Sequence, residues 1–242
     1  KVGNDAAAQD LEHELQQFHV DTTSWVRSDS ISTPQSFVII DARNGDRTVL
    51  LSRPTEMDLT PHELPLELIK NCKILHLDAH ELSASLYAAQ IARENGVLVS
   101  VDIGSDRPLP QGLFDYVDIA IVSESFARAQ LEKNPLKSCE KLLHFGAKIA
   151  AVTCGHRGSY CANSWEQFYQ PAFQVKVVDT TGAGDVFHGA ALFAILENYS
   201  LQQTAKFASA AAALTCTKIG GKAGIPSLVD IKKVMQKENY LL

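Results

Sequence analysis

The hydrophobic positions in the middle of the chain fall into short apolar runs that alternate with amphipathic segments. The apolar runs have the length and composition of buried strands, and they are Lys73–Ala79, Val97–Ile103, Asp118–Ser123 and Ala147–Thr153. Between the first two, Leu82–Gly96 has helical spacing. Alternating strands and helices are typical of βαβ units, in which helices cover both faces of a parallel sheet. The pattern therefore predicts an α/β fold with a central, mainly parallel β-sheet flanked by helices.

The two ends of the chain follow other patterns. Near the start, Pro34–Asp41 and Arg47–Leu51 are β-rich runs separated by an Asn44-Gly45 pair, which is a strong hairpin signal. This hairpin does not belong to the alternation, so we expect it to form a small β lid beside the main sheet. The last part of the chain is almost wholly helical, with helices predicted over Leu201–Thr217 and Ile231–Lys237.

Bulk composition limits the partners of the protein. The 242 residues carry a net charge of -6 with no block of basic residues, which disfavours nucleic acid and anionic membranes as partners. No apolar run reaches the length of a membrane span.

The cysteines bear on the cellular compartment. Five scattered cysteines without a C-x-x-C pair favour a reducing compartment, and we expect a cytoplasmic protein. An organelle is the alternative, because the chain starts at Lys1 and a targeting segment could have been removed.

The stretch Val177–Leu196 changes character at Gly182-Ala183-Gly184, where a β-rich run gives way to a buried-helix pattern and Asp185 stands at the junction. A helix N-terminus presents unpaired N–H groups, and glycines before it let an anion approach them. The amides of residues 182–184 are therefore predicted to form an anion hole, with Asp185 as a general base toward an attacking hydroxyl. This combination suits phosphoryl transfer. The alternative is a simple helix start in which Asp185 only complements the helix macrodipole.

The same junction resembles a known family signature. Asp179–Asp185 with Phe187 closely resembles the C-terminal signature of the PfkB/ribokinase family of carbohydrate kinases. Other stretches resemble the family in the expected order. Val152–Gly158 is similar to its nucleotide loop, and Ala205–Thr217 with the following Lys218–Gly221 is similar to the wall over the adenine. The resemblance covers essentially the whole chain.

The resemblance implies a ribokinase-like fold in one domain over residues 1–242, with the lid hairpin region at residues 20–53. ATP with Mg²⁺ is the implied phosphoryl donor, and its γ-phosphate is expected near Gly182–Gly184. The implied acceptor is a hydroxyl of a small sugar, which Asp185 deprotonates. The implied nucleotide contacts are Thr153, Gly155, Gly158, Lys218 and Gly221. Since family members often pair through the lid, a homodimer through the lid is expected here as well.

Three acidic or hydroxyl residues have both a functional and a structural interpretation. Asp78 falls where related enzymes carry an acid near the sugar, and the alternative is a cap at the end of a strand. Asp179 and Thr181 match positions that help to hold a monovalent cation such as K⁺ in ribokinases, and the alternative is that they shape the turn. His188, one helical turn after Asp185, is expected to be a packed, hydrogen-bonded histidine.

The chain departs from the family pattern in two places. The Asn-x-x-Glu motif, which organises the hydration shell of magnesium, is replaced by Ser123-Glu124-Ser125-Phe126. The family's opening strand, its first lid strands and a Gly-Gly-x-x-x-Asn stretch do not precede Lys1, so the resemblance implies an amino-terminal truncation. Two alternatives to a sugar kinase therefore stay open: a catalytically impaired nucleotide-binding homologue that acts by association, and a nucleoside kinase of the same family. The sequence does not select one sugar.

Overall fold

The computed structural model describes residues 1–40, 47–105, 107–108 and 110–236. Its strands are β1 (Val2–Gly3), β2 (Arg27–Ser28), β3 (Gln35–Ile40), β4 (Arg47–Ser52), β5 (Ile74–Leu77), β6 (Leu98–Ile103), β7 (Ile119–Ser123), β8 (Ile149–Thr153), β9 (Ser159–Asn163) and β10 (Gln167–Gln170). Its α-helices are α1 (Ala6–Gln17), α2 (Leu66–Asn71), α3 (Leu82–Glu94), α4 (Glu124–Phe126), α5 (Pro135–His144), α6 (Ala183–Leu196), α7 (Leu201–Thr215) and α8 (Leu228–Gln236). Within these ranges, no helix has both the length and the apolar character needed to cross a membrane.

The central sheet has six strands in the order β10-β9-β8-β7-β6-β5. Strands β5 to β8 run parallel to one another, whereas β9 and β10 return antiparallel at one edge. Helix α3 connects β5 to β6, and α5 connects β7 to β8, as expected for βαβ units. The predicted α/β fold with a mainly parallel central sheet flanked by helices is confirmed.

Both faces of this sheet are buried, so successive residues of one strand enter different cores. In β7, Val122 belongs to the core formed with α3 and α5, whereas its neighbour Ile121 belongs to the core formed with α6 and α7. In the second core, Phe207 of α7 is 1% exposed and stacks on Phe193 of α6 with ring centroids 5.7 Å apart. The sheet is therefore the middle layer of three.

Helix α6 is held in place by its partner α7. A short connection after α6 ends at Ser200, whose side chain accepts a hydrogen bond from the Gln203 amide at 3.2 Å. Gln203 accepts in return from the Ser200 amide at 3.0 Å, which completes a capping box at the start of α7. The two helices pack along their length on one face of the sheet. This packing fixes the N-terminus of α6 at the edge where the parallel strands end.

Strands β3 and β4 form a separate antiparallel hairpin, in register from Gln35 opposite Ser52 to Ile40 opposite Arg47. The predicted hairpin is confirmed, and its Asn44-Gly45 turn lies outside the described residues. Apolar side chains on both faces of the hairpin are 38% to 65% exposed, namely Phe37, Val38, Ile39, Val49, Leu50 and Leu51. The assignments of residues 20–53 as the lid region and of residues 1–242 as one domain stay predictions.

The β-rich run that precedes the glycines does not form a strand. The amides of Val178 and Asp179 both donate to the Cys216 carbonyl, at 2.8 and 3.3 Å. Val177 and Val178 are 55% and 44% exposed, so neither enters the sheet or the core. The end of α7, rather than a neighbouring strand, therefore holds the segment that leads into α6.

Candidate active site

Three carboxylates converge where β5 and β6 end and α6 begins. Asp78 directly follows β5, Asp102 lies near the end of β6, and Asp185 lies in the first turn of α6. Burial raises the pKa of Asp102, and the negative charges of Asp185 and Asp78 raise it further, whereas His188 and Arg107 oppose the shift. Ligands of open α/β sheets bind outside the carboxyl ends of the strands, which is where these acids meet. The structure therefore brings Asp78 and Asp185 into one site.

The turn before α6 is built on a left-handed glycine, and the anion hole expected at residues 182–184 stays a prediction. We call residues 182–184 the glycine turn. Gly182 caps the helix with φ of +77°, in the left-handed region, and a Cβ there would lie 2.9 Å from both Cα and O of Gly221. Ala183 donates its amide to the Thr180 carbonyl at 3.2 Å, and the helical ladder begins with Val186 donating to Gly182 at 2.9 Å. Asp185 is exposed rather than packed in the core, which leaves its carboxylate accessible to a substrate.

Asp179 organises the segment before the glycine turn. One carboxylate oxygen accepts from the amide and the hydroxyl of Thr181, at 2.9 and 2.8 Å, and the other accepts from the Gly220 amide at 2.8 Å. Asp179 thus joins this segment to the loop that contains Gly221. The residue is only 6% exposed, and these hydrogen bonds satisfy its buried carboxylate. These contacts are those of a residue that shapes the turn. A monovalent cation held by Asp179 and Thr181 stays a prediction.

His188 links α6 to strands β7 and β6 of the central sheet. Its ring is buried, with Nδ1 2.7 Å from the Gly184 carbonyl oxygen and Nε2 3.2 Å from the Ile121 carbonyl oxygen. Nε2 also lies 3.3 Å from Oδ1 of Asp102. The ring of His76, on β5, is centred 6.0 Å away; His76 is exposed as a whole residue, but the atoms packed around its ring desolvate it and lower its pKa. The expected packed, hydrogen-bonded histidine is confirmed, and it lies directly beneath the glycine turn.

Asp78 forms the cap that the sequence allows, and its role near a sugar stays a prediction. Its Oδ1 accepts from the His80 amide at 3.0 Å, which is a local cap after the strand. Its main-chain oxygen lies 3.3 Å from Arg107, and the same guanidinium is 3.0 Å from Nε2 of His80. Because the side chain of Asp78 remains exposed at the mouth of the site, the cap leaves it accessible to a substrate.

The predicted nucleotide loop is a tight turn after β8. Gly155 and Gly158 have φ of +57° and +101°, and Gly158 accepts from the Cys154 amide at 2.7 Å. A Cβ on Gly158 would lie 2.1 Å from the Gln170 carbonyl, so glycine is required there by packing alone. Thr153, at the end of β8, is half-buried and its hydroxyl donates to the Val122 carbonyl at 3.4 Å. Binding of nucleotide by this loop stays a prediction.

The segment that stands in place of Asn-x-x-Glu is engaged in packing and ion pairs. Phe126 is fully buried in the core, so it serves packing. The Glu124 carboxylate forms ion pairs with Arg157 of the nucleotide loop and, at 3.5 Å, with Arg128. A carboxylate shared by two guanidinium groups is a poor ligand for a hard cation. Among the described residues, no group of three or more acidic, histidine or cysteine side chains is placed to hold a metal ion.

The remaining predicted nucleotide residues lie beyond α7. Gly221 packs against the glycine turn, with a would-be Cβ 3.3 Å from the Thr181 methyl group. Lys218 is exposed on the same connection. The structure therefore brings Gly221 next to residues 182–184, whereas Thr153, Gly155 and Gly158 lie at the end of β8. Asp102, His76 and Arg107 were not predicted as site residues. The positions of Asp102 and His76 near the carboxyl ends of β6 and β5 are the signal that could have identified them, and Arg107 lies in the loop after β6.

Comparison with known proteins identifies the family. The family model of pfkB family carbohydrate kinases matches residues 1–228. The ribokinase of Staphylococcus aureus (strain COL) is 26% identical over 97% of this chain and 80% of its own length, and fructokinase-1 of Oryza sativa subsp. japonica is 33% identical over 98% and 81%. The structure of Arabidopsis thaliana ribokinase complexed with ribose and ATP superposes with a TM-score of 0.82 at 26% identity, covering 98% of this chain and 80% of that one. The fold is thus ribokinase-like, as predicted, and the chain belongs to the pfkB family of carbohydrate kinases.

Proposed function

We propose that this protein is an ATP-dependent phosphotransferase that phosphorylates a hydroxyl group of a small sugar. The observation that carries the proposal is the exposed carboxylate of Asp185, one residue after a glycine turn at a helix N-terminus. Donors that are fixed where negative charge develops are each worth about 10²–10³ in rate. A correctly placed general base contributes about 10²–10⁴. Family membership supports the same chemistry, since the relatives are named ribokinase and fructokinase.

In the proposed reaction, the acceptor hydroxyl lies between Asp185 and the γ-phosphate of ATP. Asp185 takes the hydroxyl proton as the oxygen attacks the γ-phosphorus. The bond from that phosphorus to the β–γ bridging oxygen breaks, which gives a sugar phosphate and ADP. The glycine turn stabilises the charge on the transferring group, and Asp78 lies on the sugar side of the site.

Magnesium enters this scheme as MgATP, a part of the substrate. Mg²⁺ in such sites takes many of its ligands from substrate phosphates and water, with few from the protein. This agrees with the ion-paired state of Glu124 and with the buried phenyl ring at residue 126. No set of protein ligands for the metal is therefore proposed.

The lid hairpin supports a second part of the proposal, a homodimer. Alternating residues of a strand face opposite sides, so exposed apolar side chains at consecutive positions leave both faces of the hairpin uncovered. Exposed apolar patches of this kind mark interaction sites. A second copy pairing through the lid covers them. Sedimentation velocity tests this: Phe37→Ser with Leu51→Ser is expected to yield monomer, and a wild-type monomer would contradict it.

The decisive experiment for the proposed function is an acceptor panel. The protein is incubated with MgATP and, separately, with ribose, fructose, other ketoses and nucleosides, while ADP is measured and products are identified by ³¹P NMR. We expect one sugar to give both ADP and a phosphate ester. A nucleoside product would favour the nucleoside-kinase alternative. Nucleotide binding without any phosphorylated product would favour the impaired homologue and overturn the proposal.

A further inference from the structure

The His188 ring faces oxygen acceptors on both sides. Nδ1 lies 2.7 Å from the Gly184 carbonyl, and Nε2 lies 3.2 Å from the Ile121 carbonyl and 3.3 Å from Asp102 Oδ1. The ring is 3% exposed. Among the described residues, Oδ1 of Asp102 is buried and lacks a hydrogen bond of normal geometry, and Nε2 of His188, 3.3 Å away, is the group placed to share a proton with it. The proton that satisfies these oxygen atoms must therefore be carried by His188 or by Asp102, which we call the pair.

A count of protons shows what this arrangement requires. A neutral imidazole carries one N–H and one lone pair, whereas an ionised carboxylate only accepts. With the single proton on Nδ1, toward Gly184, the lone pair on Nε2 would face two oxygens. One further proton relieves this conflict, toward both oxygens if it lies on Nε2 and toward Asp102 if it lies on the carboxyl group of Asp102. In both arrangements His188 donates to Gly184, and the pair of side chains has no net charge.

The surroundings favour retention of this extra proton. Asp78 and Asp185 add negative charge near the pair, while His76 and Arg107 are the other titratable groups that face it. Burial raises the pKa of Asp102 most, His188 opposes the shift, and the two acids raise the pKa further, so Asp102 keeps its proton to a higher pH than a free carboxyl group does. Loss of the proton would place a third negative charge beside Asp78 and Asp185.

We propose that His188 is a positioning residue for phosphoryl transfer, which shares one proton with Asp102 and through it fixes the Gly184 carbonyl and the glycine turn. This inference rests on the proposed function and extends it, because it assigns a positioning role to His188 and Asp102. Gly184 belongs to the first turn of α6, so a displaced carbonyl also displaces the neighbouring backbone, where the terminal phosphate is proposed to bind. A misplacement of about 1 Å in such a site can cost about 10² in rate.

The proton itself is tested by NMR on protein labelled with ¹⁵N-histidine, which needs no catalytic activity. His188 is assigned by its absence in His188→Phe. We expect the wild type to show a strongly downfield hydrogen-bonded proton from pH 6 to about pH 8, which disappears in both His188→Phe and Asp102→Leu. A His188 ring with one N–H and one bare nitrogen, unchanged by Asp102→Leu, would overturn the shared proton.

The positioning role is tested by the preference for a γ-phosphate. Calorimetry gives the dissociation constants of ADP and of the ATP analogue AMP-PNP. The dissociation constant of ADP divided by that of AMP-PNP measures how much the terminal phosphate adds to binding. We expect His188→Phe and Asp102→Leu to lower this ratio about tenfold while ADP binding changes less than about threefold. Asp102→Asn, whose N–H can replace the carboxyl O–H, is expected to retain most of the preference. An unchanged ratio in His188→Phe and Asp102→Leu would overturn the inference.

A ratio near one in the wild type would mean that the terminal phosphate adds nothing to binding, which would contradict the proposed phosphate site itself. The NMR experiment would still show whether His188 and Asp102 share a proton. Melting temperatures show whether each variant is folded. If His188→Phe does not fold, the comparison of Asp102→Leu with Asp102→Asn carries the test, because only the latter supplies a donor. Equal losses in these two variants would contradict the role of the shared proton.

Discussion

Two alanine substitutions in the glycine turn separate what the fold needs from what the phosphate needs. At Gly182 the left-handed backbone costs a residue with a Cβ about 1–2 kcal/mol. The Cβ would also lie 2.9 Å from two atoms of Gly221, and relief of such overlap costs about 1–3 kcal/mol. Gly182→Ala is therefore expected to lower the free energy of unfolding by about 2–5 kcal/mol.

Gly184→Ala is the matched variant, since its Cβ would meet no atom within 4 Å. Alanine favours a helix over glycine by about 0.5–1 kcal/mol, so this variant is expected to be as stable as the wild type or more stable. Its methyl group nevertheless stands where the terminal phosphate is proposed to approach, and we expect kcat/KM to fall about 10²-fold. Urea denaturation and steady-state kinetics on the same samples measure both quantities. A fully active Gly184→Ala would refute a phosphate at this turn, whatever Gly182→Ala does.

Three further predictions concern the core, the loop after β8 and the buried acid. Phe207→Ala, which empties a 1% exposed position in the core of α6 and α7, is expected to cost about 3–5 kcal/mol in urea denaturation, and a loss below about 1 kcal/mol would contradict that packing. Gly158→Ala is expected to cost at least about 2 kcal/mol, because its Cβ would overlap the Gln170 carbonyl at 2.1 Å, and an unchanged denaturation midpoint would contradict the tight turn. Since the pKa of Asp102 is raised on folding, its contribution to stability is largest at low pH and is lost as pH rises from about 3.9 through the folded pKa. The Tm of Asp102→Asn minus that of the wild type is therefore expected to increase as pH rises above about 4, and a difference that decreases with rising pH would show the opposite sign.

The strands and helices of the central sheet could be predicted because their patterns are local. A run such as Val97–Ile103 is apolar at nearly every position, and that is the composition of a strand buried on both faces. The strand in the structure, Leu98–Ile103, differs by one residue at its start. The β-rich run at Val177 does not form a strand, because strand propensity does not provide a partner strand. Here the Cys216 carbonyl accepts the hydrogen bonds of the Val178 and Asp179 amides instead.

The candidate site could be predicted only in part. Gly182, Gly184 and Asp185 are adjacent in sequence, so one motif contains the whole glycine turn and its acid. Asp102 and His188 come from a strand and a helix far apart in the chain, and only the order of strands in the sheet brings them within 3.3 Å. Local periodicity contains no information on that order. The proton shared by this pair could therefore be inferred only from the structure.

The central claim is that Asp185 removes the acceptor proton beside a phosphate held by the glycine turn, and single-turnover kinetics of Asp185→Asn test it most directly. The amide has nearly the size of the carboxylate but cannot take a proton. With the accepting sugar and MgATP saturating, we predict a phosphoryl-transfer rate about 10²–10⁴ lower than in the wild type, with nucleotide affinity changed by less than about threefold. A rate equal to that of the wild type would contradict the account.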